Sequence, residues 1–140
     1  MADVARFAYT AVRNSLGEIA MRPILPVTLS YRGAAIEAQG LLDTGADVNV
    51  LPYSLGISLG GDWDQARTGL RLSGNLAQYE ARGILIDCIV GSLPPVQLAF
   101  AWTRAENVPL LLGQVNFFAE FNVCFFRATN SFEISPKLTP

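Results

Sequence analysis

Residues 24–31 are dense in apolar and β-branched side chains, Arg32-Gly33 interrupts them, and over residues 34–42 Ile36, Ala38 and Gly40 alternate with Glu37 and Gln39. A period of two on either side of a turn dipeptide predicts a β-hairpin, and its second strand runs into Asp43. Residues 48–51 read as a short strand stopped by Pro52, and the glycine-rich residues 55–61 as a loop or one short helical turn. Two strand runs, 70–72 and 77–90, flank Ser73-Gly74-Asn75, whose Gly and Asn tolerate the positive φ of a hairpin tip. Pro94-Pro95 breaks the chain before a strand at 96–102. Leu110-Leu111-Leu112 is a short, wholly apolar strand that ends at Gly113. Residues 114–120 fit about two turns of helix with Val115, Phe118 and Ala119 inward, and a last hairpin pairs 121–127 with 132–134 around Ala128-Thr129-Asn130-Ser131.

The first 22 residues show no strong period and contain the turn-like run Arg13-Asn14-Ser15-Leu16-Gly17-Glu18, so they read as an extended arm preceding a domain of residues 23–140. Many short strands, frequent turns and one brief helix predict an all-β domain, a small closed or sandwich-like barrel.

A chain of 140 residues fits one domain with its own core. Its 51% hydrophobic content excludes disorder, and with only 16% charged residues some apolar surface is left for a partner to cover. The 10 basic and 12 acidic residues are scattered, which argues against nucleic acid or an anionic membrane as a partner. No apolar run approaches the roughly 20 residues of a membrane-spanning helix. The start, with Asp3 ahead of a mixed segment, lacks the basic and apolar regions of a secretory signal, so a cytoplasmic location is expected. Cys88 and Cys124 sit among large apolar residues and read as buried, reduced thiols, with a disulfide between them left open. Trp63, Trp102 and the cluster Phe117, Phe118, Phe121, Phe125 and Phe126 read as core or interface anchors.

The sequence contains no histidine. Ser-His-Asp and Cys-His nucleophilic systems are thereby excluded within the chain, and a zinc site built from two separated cysteines is not credible. No cofactor or metal is expected, and any catalysis falls to carboxylates. The candidate is Asp43, between Leu41-Leu42 and Thr44-Gly45. There the apolar strand fixes its orientation and restricts its solvation. Gly45 permits a tight path that turns main-chain N–H groups towards the carboxylate, and the Thr44 hydroxyl is expected to lock the turn. Alone, Asp-Thr-Gly is also an ordinary turn. One carboxylate, moreover, cannot be both acid and base to one water.

Leu41-Leu42-Asp43-Thr44-Gly45-Ala46-Asp47 resembles, without a gap, the active-site segment of the retropepsin family, the single-domain aspartic peptidases of retroviruses and their cellular and bacterial relatives. Leu111-Leu112-Gly113 followed by 116–123 is similar to the family's second signature, and 72–78 falls where the family has its flap. The resemblance implies a closed β-barrel with one short C-terminal helix, acting as a homodimer on peptide or unfolded protein. Asp43 of each subunit would then share one water and one proton, because two carboxylates so close cannot both ionise. It also implies that Thr44 and Gly45 support the dyad, that Ala46 and Asp47 line the substrate backbone, and that Ser73, Gly74 and Asn75 form the flap tip. Two departures stand out: Gln114 occupies the place where the family often has arginine, removing an ion pair to Asp47, and the flap has one glycine. Arg22 is a candidate for the missing charge. A catalytically silent dimerisation or peptide-binding module of the same fold is the competing expectation.

Overall fold

A computed structural model describes residues 3–72, 76–105 and 107–137. Strands β1 (Ala5–Ala8), β2 (Thr10–Arg13) and β3 (Ile19–Arg22) precede β4 (Ile24–Tyr31) and β5 (Ala34–Leu42). After the Asp43 turn come β6 (Asn49–Pro52), helix α1 (Tyr53–Ser58), β7 (Arg67–Leu70), β8 (Ala81–Ile89), β9 (Val96–Thr103) and β10 (Leu110–Leu112). Helix α2 (Phe117–Glu120) leads into the final hairpin, β11 (Phe121–Phe126) and β12 (Ser131–Pro136).

Six strands close into a barrel in the order β4-β5-β10-β6-β9-β8, with β8 returning to β4. Most neighbours are antiparallel, but β10 runs parallel to β5 and β6 parallel to β9. The β8 strand shares one edge between two partners: Cys88 opposes Leu29 of β4, and Gly83 opposes Arg67 of β7. Closure leaves the barrel interior to one face of each strand. Leu25, Val27 and Leu29 of β4 pack there with Ile84, Ile86 and Cys88 of β8 and Leu98, Phe100 and Trp102 of β9. Each fully buried side chain of this size contributes on the order of 1.5–3 kcal/mol. Trp102 donates its indole N–H to the Tyr53 carbonyl (3.1 Å) and lies against Gly56, where a Cβ would come within 2.2 Å of its ring. This contact seats α1 on the barrel.

Residues 3–22, expected as an extended arm with a loop, form three short strands. Strand β1 pairs antiparallel with β12, which pairs with β11, giving a terminal sheet in the order β1-β12-β11, while β2 and β3 form a separate hairpin. One face of the terminal sheet, Phe7, Phe121, Phe132 and Ile134, packs on the barrel core. The other carries the Arg6–Glu133 ion pair.

Several local expectations are corrected. The C-terminal helix is one turn rather than two, and Val115 and Ala119 are exposed while Phe117 is fully buried. The reason is competition: Gln114 N–H donates to Ala46 O (2.9 Å) and Val115 N–H to Asp47 O (2.8 Å), so residues 114–115 pair with the Asp-Thr-Gly loop in extended form. The strands either side of the expected flap stop further from its tip than expected: β7 spans Arg67–Leu70 rather than 70–72, and β8 begins at Ala81 rather than at 77. Of the loop or short helical turn expected at 55–61, the helical turn is found in part, as helix α1, which begins at Tyr53 and ends at Ser58. Cys88 is buried as expected, but Cys124 is exposed, as are Phe125 and Phe126, and both thiols are free. Cys124, Phe125 and Phe126 lie on β11, one of the two edge strands of the terminal sheet.

Candidate active site

The parallel pairing of β5 and β10 builds the site. Because the strands run the same way, with Leu42 opposite Leu112, their carboxyl ends emerge together and Asp43 lies beside Gly113, seventy residues later. The Asp43 N–H continues the ladder to Leu112 O at 3.0 Å. The chain then turns: Gly45 N–H donates to Asp43 Oδ1 at 2.9 Å and Ala46 N–H to Asp43 O at 3.1 Å. One carboxylate oxygen is thus held by the turn, and the side chain is only half-buried.

Gly113 is where the second segment crosses the first. A Cβ there would lie 2.6 Å from both Ala46 O and Val48 O, so only hydrogen fits. Its N–H donates to Asn49 Oδ1 at 2.8 Å. Asn49 is fully buried, and its amide N–H₂ reaches Ala99 O (3.0 Å) and Asn116 Oδ1 (3.3 Å). Asn116 Oδ1 also accepts from Ala99 N–H at 2.9 Å. Two asparagines therefore tie together β6, β9 and the segment after β10, and no buried side-chain nitrogen or oxygen is left unpaired among the described residues. Gln114 adds a clamp from outside, donating Nε2 to Thr44 O at 2.9 Å. Strand-pattern reading singled out neither asparagine, and saw Gln114 only as a departure. The buried polar residue within an apolar run, Val48-Asn49-Val50, was the available signal for the first.

The Thr44 hydroxyl, expected to lock the turn, is exposed and makes no hydrogen bond among the described residues. The Asp43 carboxylate and Gln114 hold the turn instead. Asp47 is exposed and has no ion pair among the described residues, and the same holds for Arg22 on β3. Asp43, Gly45, Ala46 and Asp47 open together on a cleft of about 410 Å³, whose apolar wall includes Val50, Leu72, Leu76 and Leu111. Ser73, Gly74 and Asn75, the expected flap tip, lie between Leu72 and Leu76 in sequence and outside the described residues. Among the described residues, no three of His, Cys, Asp and Glu gather into a group that would hold a metal ion, and no helix is long and apolar enough to cross a membrane.

Two solved structures share this architecture. A retropepsin-like aspartic protease from Rickettsia conorii superposes with a TM-score of 0.56 at 17% identity, over 97% of this chain and 94% of its own. EIAV protease, in complex with the inhibitor HBY-793, superposes with a TM-score of 0.53 at 19% identity, over 74% of this chain and 88% of its own. The chain has the retropepsin-like fold. No protein-family description and no curated protein sequence matches it. The junction of β5 and β10 lies at the carboxyl ends of two parallel strands. It is the point where two chain segments, each stopped by a glycine-bearing turn, meet at the floor of a cleft.

Proposed function

We propose that the chain is one subunit of a homodimeric aspartic endopeptidase. The observation that carries this reading is the placement of Asp43: a carboxylate at the mouth of a parallel strand pair, gripped by the Gly45 N–H and opening on an apolar cleft. One such carboxylate is half of an acid–base pair. Asp43 of the partner subunit, brought across a two-fold axis, supplies the other half. One aspartate, ionised, takes a proton from the shared water as it attacks the peptide carbonyl carbon. The other, protonated, gives its proton to the substrate, and the amine leaves as the C–N bond breaks. The clamp of Gln114 on Thr44 and the asparagine network behind Gly113 keep the two loops still, so that little reorganisation accompanies the reaction. Val50, Leu72, Leu76 and Leu111 favour substrates with apolar side chains beside the scissile bond, bound as extended chain. A cytoplasmic site of action is part of the same proposal.

The test is cleavage of a denatured protein or mixed peptides between about pH 4 and 7 by the wild type and by Asp43→Asn, with the mass of both followed by sedimentation. Loss of turnover by at least about a hundredfold in an equally dimeric Asp43→Asn supports the dyad. A wild-type dimer inactive throughout that range would instead assign the fold to a silent peptide-binding module.

A further inference from the structure

Beside the catalytic cleft lies a second cleft of about 400 Å³ that the proposed reaction leaves unused. The two share Val48 and Arg71, so an extended substrate passing beyond the first continues along the second. Its base is formed by buried residues of β8 and β9, Ile84, Phe100 and Ala101. Around it stand Leu70, Leu85 and Val115, which are 36%, 55% and 56% exposed. Single exposed apolar side chains are ordinary, but three large ones ringing one concavity mark a surface shaped for an apolar group.

The charge of this cleft is one-sided. Among the described residues, Arg67 and Arg71 are the only ionisable ones lining it, both are exposed, and neither has an ion-pair partner. Of the adjoining hollows, the one that shares Arg67 holds Asp62 with Arg32, the one that shares Arg71 holds Glu80, which pairs with Arg82, and the Asp43 cleft, which also shares Arg71, holds Asp43 and Asp47. The described lining of this cleft itself carries positive charge alone. We propose that this cleft is a flanking specificity subsite for a substrate segment in which an apolar residue stands next to an acidic one. The apolar side chain enters between Leu70, Leu85 and Val115, and the carboxylate meets Arg71 or Arg67. This rests on the peptidase reading above and narrows its substrate class.

The test uses full-length Asp43→Asn protein, which reads binding without turnover, and labelled peptides that share one apolar cleavage sequence. The peptides differ only in a Glu, Gln or Lys walked through the flanking positions. At one or more positions the Glu peptide is expected to bind about fivefold more tightly than the Lys peptide, with Gln between. The gap is expected to shrink at about 0.5 M salt, and adding Arg67→Glu and Arg71→Glu together is expected to invert the order. Equal affinities at every position, an order indifferent to the charge reversal, or no binding by any peptide overturns the subsite. Wild-type protein that cleaves none of the peptides while Asp43→Asn keeps the charge preference overturns the peptidase reading and leaves the subsite standing.

Discussion

In the barrel, each of the six strands from β4 round to β8 is paired on both sides, whereas the terminal sheet stops at β1 and β11, each paired on one side only among the described residues. Both regions bury the same kinds of side chain, with Phe132 and Ile134 as inaccessible as Leu25 and Trp102. They differ in what is left over. Closure gives each of the six barrel strands a partner on both sides, so the barrel completes itself and holds the Asp43 turn against Gly113. The terminal sheet keeps an open edge at β11 and exposes Phe125 and Phe126 beside it, surface of the kind a second copy of the chain would cover. In the proposed dimer, the barrel would carry the half-site and the terminal sheet would bring the second half to it.

The two cysteines measure this difference directly, and the largest effect is expected there. Cys88 lies fully buried in the barrel, and burial pushes its thiol up from 9.0 to about 12, whereas Cys124 lies exposed on β11. In the native protein near pH 8, a thiol reagent followed by mass spectrometry is expected to modify Cys124 readily. Cys88 is expected to react about a thousandfold more slowly than in the unfolded chain, following its thiolate fraction. The same shift sets a sign for stability. Below about pH 9 the thiol is neutral in both states and contributes nothing. As pH rises from about 9 towards 12 the unfolded thiol ionises while the folded one does not, so the fold loses stability over that window. Equal labelling of the two cysteines would show that the barrel opens as easily as the terminal sheet.

Next in size, Phe125→Glu combined with Phe126→Glu is expected to weaken self-association by about a hundredfold while leaving the melting temperature of the monomer nearly unchanged. Sedimentation across a concentration series checks this, and an unchanged dimer would place the subunit contact elsewhere. Gly113→Ala strikes the barrel side: the new Cβ meets two backbone carbonyls, so a loss of about 1–3 kcal/mol in chemical denaturation is expected, with activity falling alongside. The smallest effect is expected from Gln114→Ala, which removes one hydrogen bond to Thr44 O and costs about 1 kcal/mol. If Gln114 positions the turn for the transition state, kcat falls while KM holds, and Gln114→Glu, which cannot donate, behaves like alanine. A purely structural role would move stability alone.

The alternation at 34–42, the turn at Arg32-Gly33 and the apolar run Leu110-Leu111-Leu112 were legible because side-chain direction in a strand repeats every two residues, a purely local rule. The same rule could not separate Phe117 and Phe121, which are buried, from Phe125 and Phe126, which are not, since all four have the same affinity for a core. Nor could helical periodicity anticipate that Gln114 and Val115 spend their N–H groups on Ala46 and Asp47 rather than on a first helical turn. By itself the sequence determined an all-β chain, a carboxylate at the end of an apolar strand, the absence of histidine chemistry, and a second apolar strand ending at Gly113. Tertiary structure alone decided that β10 lies parallel between β5 and β6, that Asn49 and Asn116 meet behind Gly113, and that two arginines face an apolar cleft beside the site. Those facts join residues tens of positions apart, where only the energy of closing the barrel selects the neighbours and no local pattern records the choice.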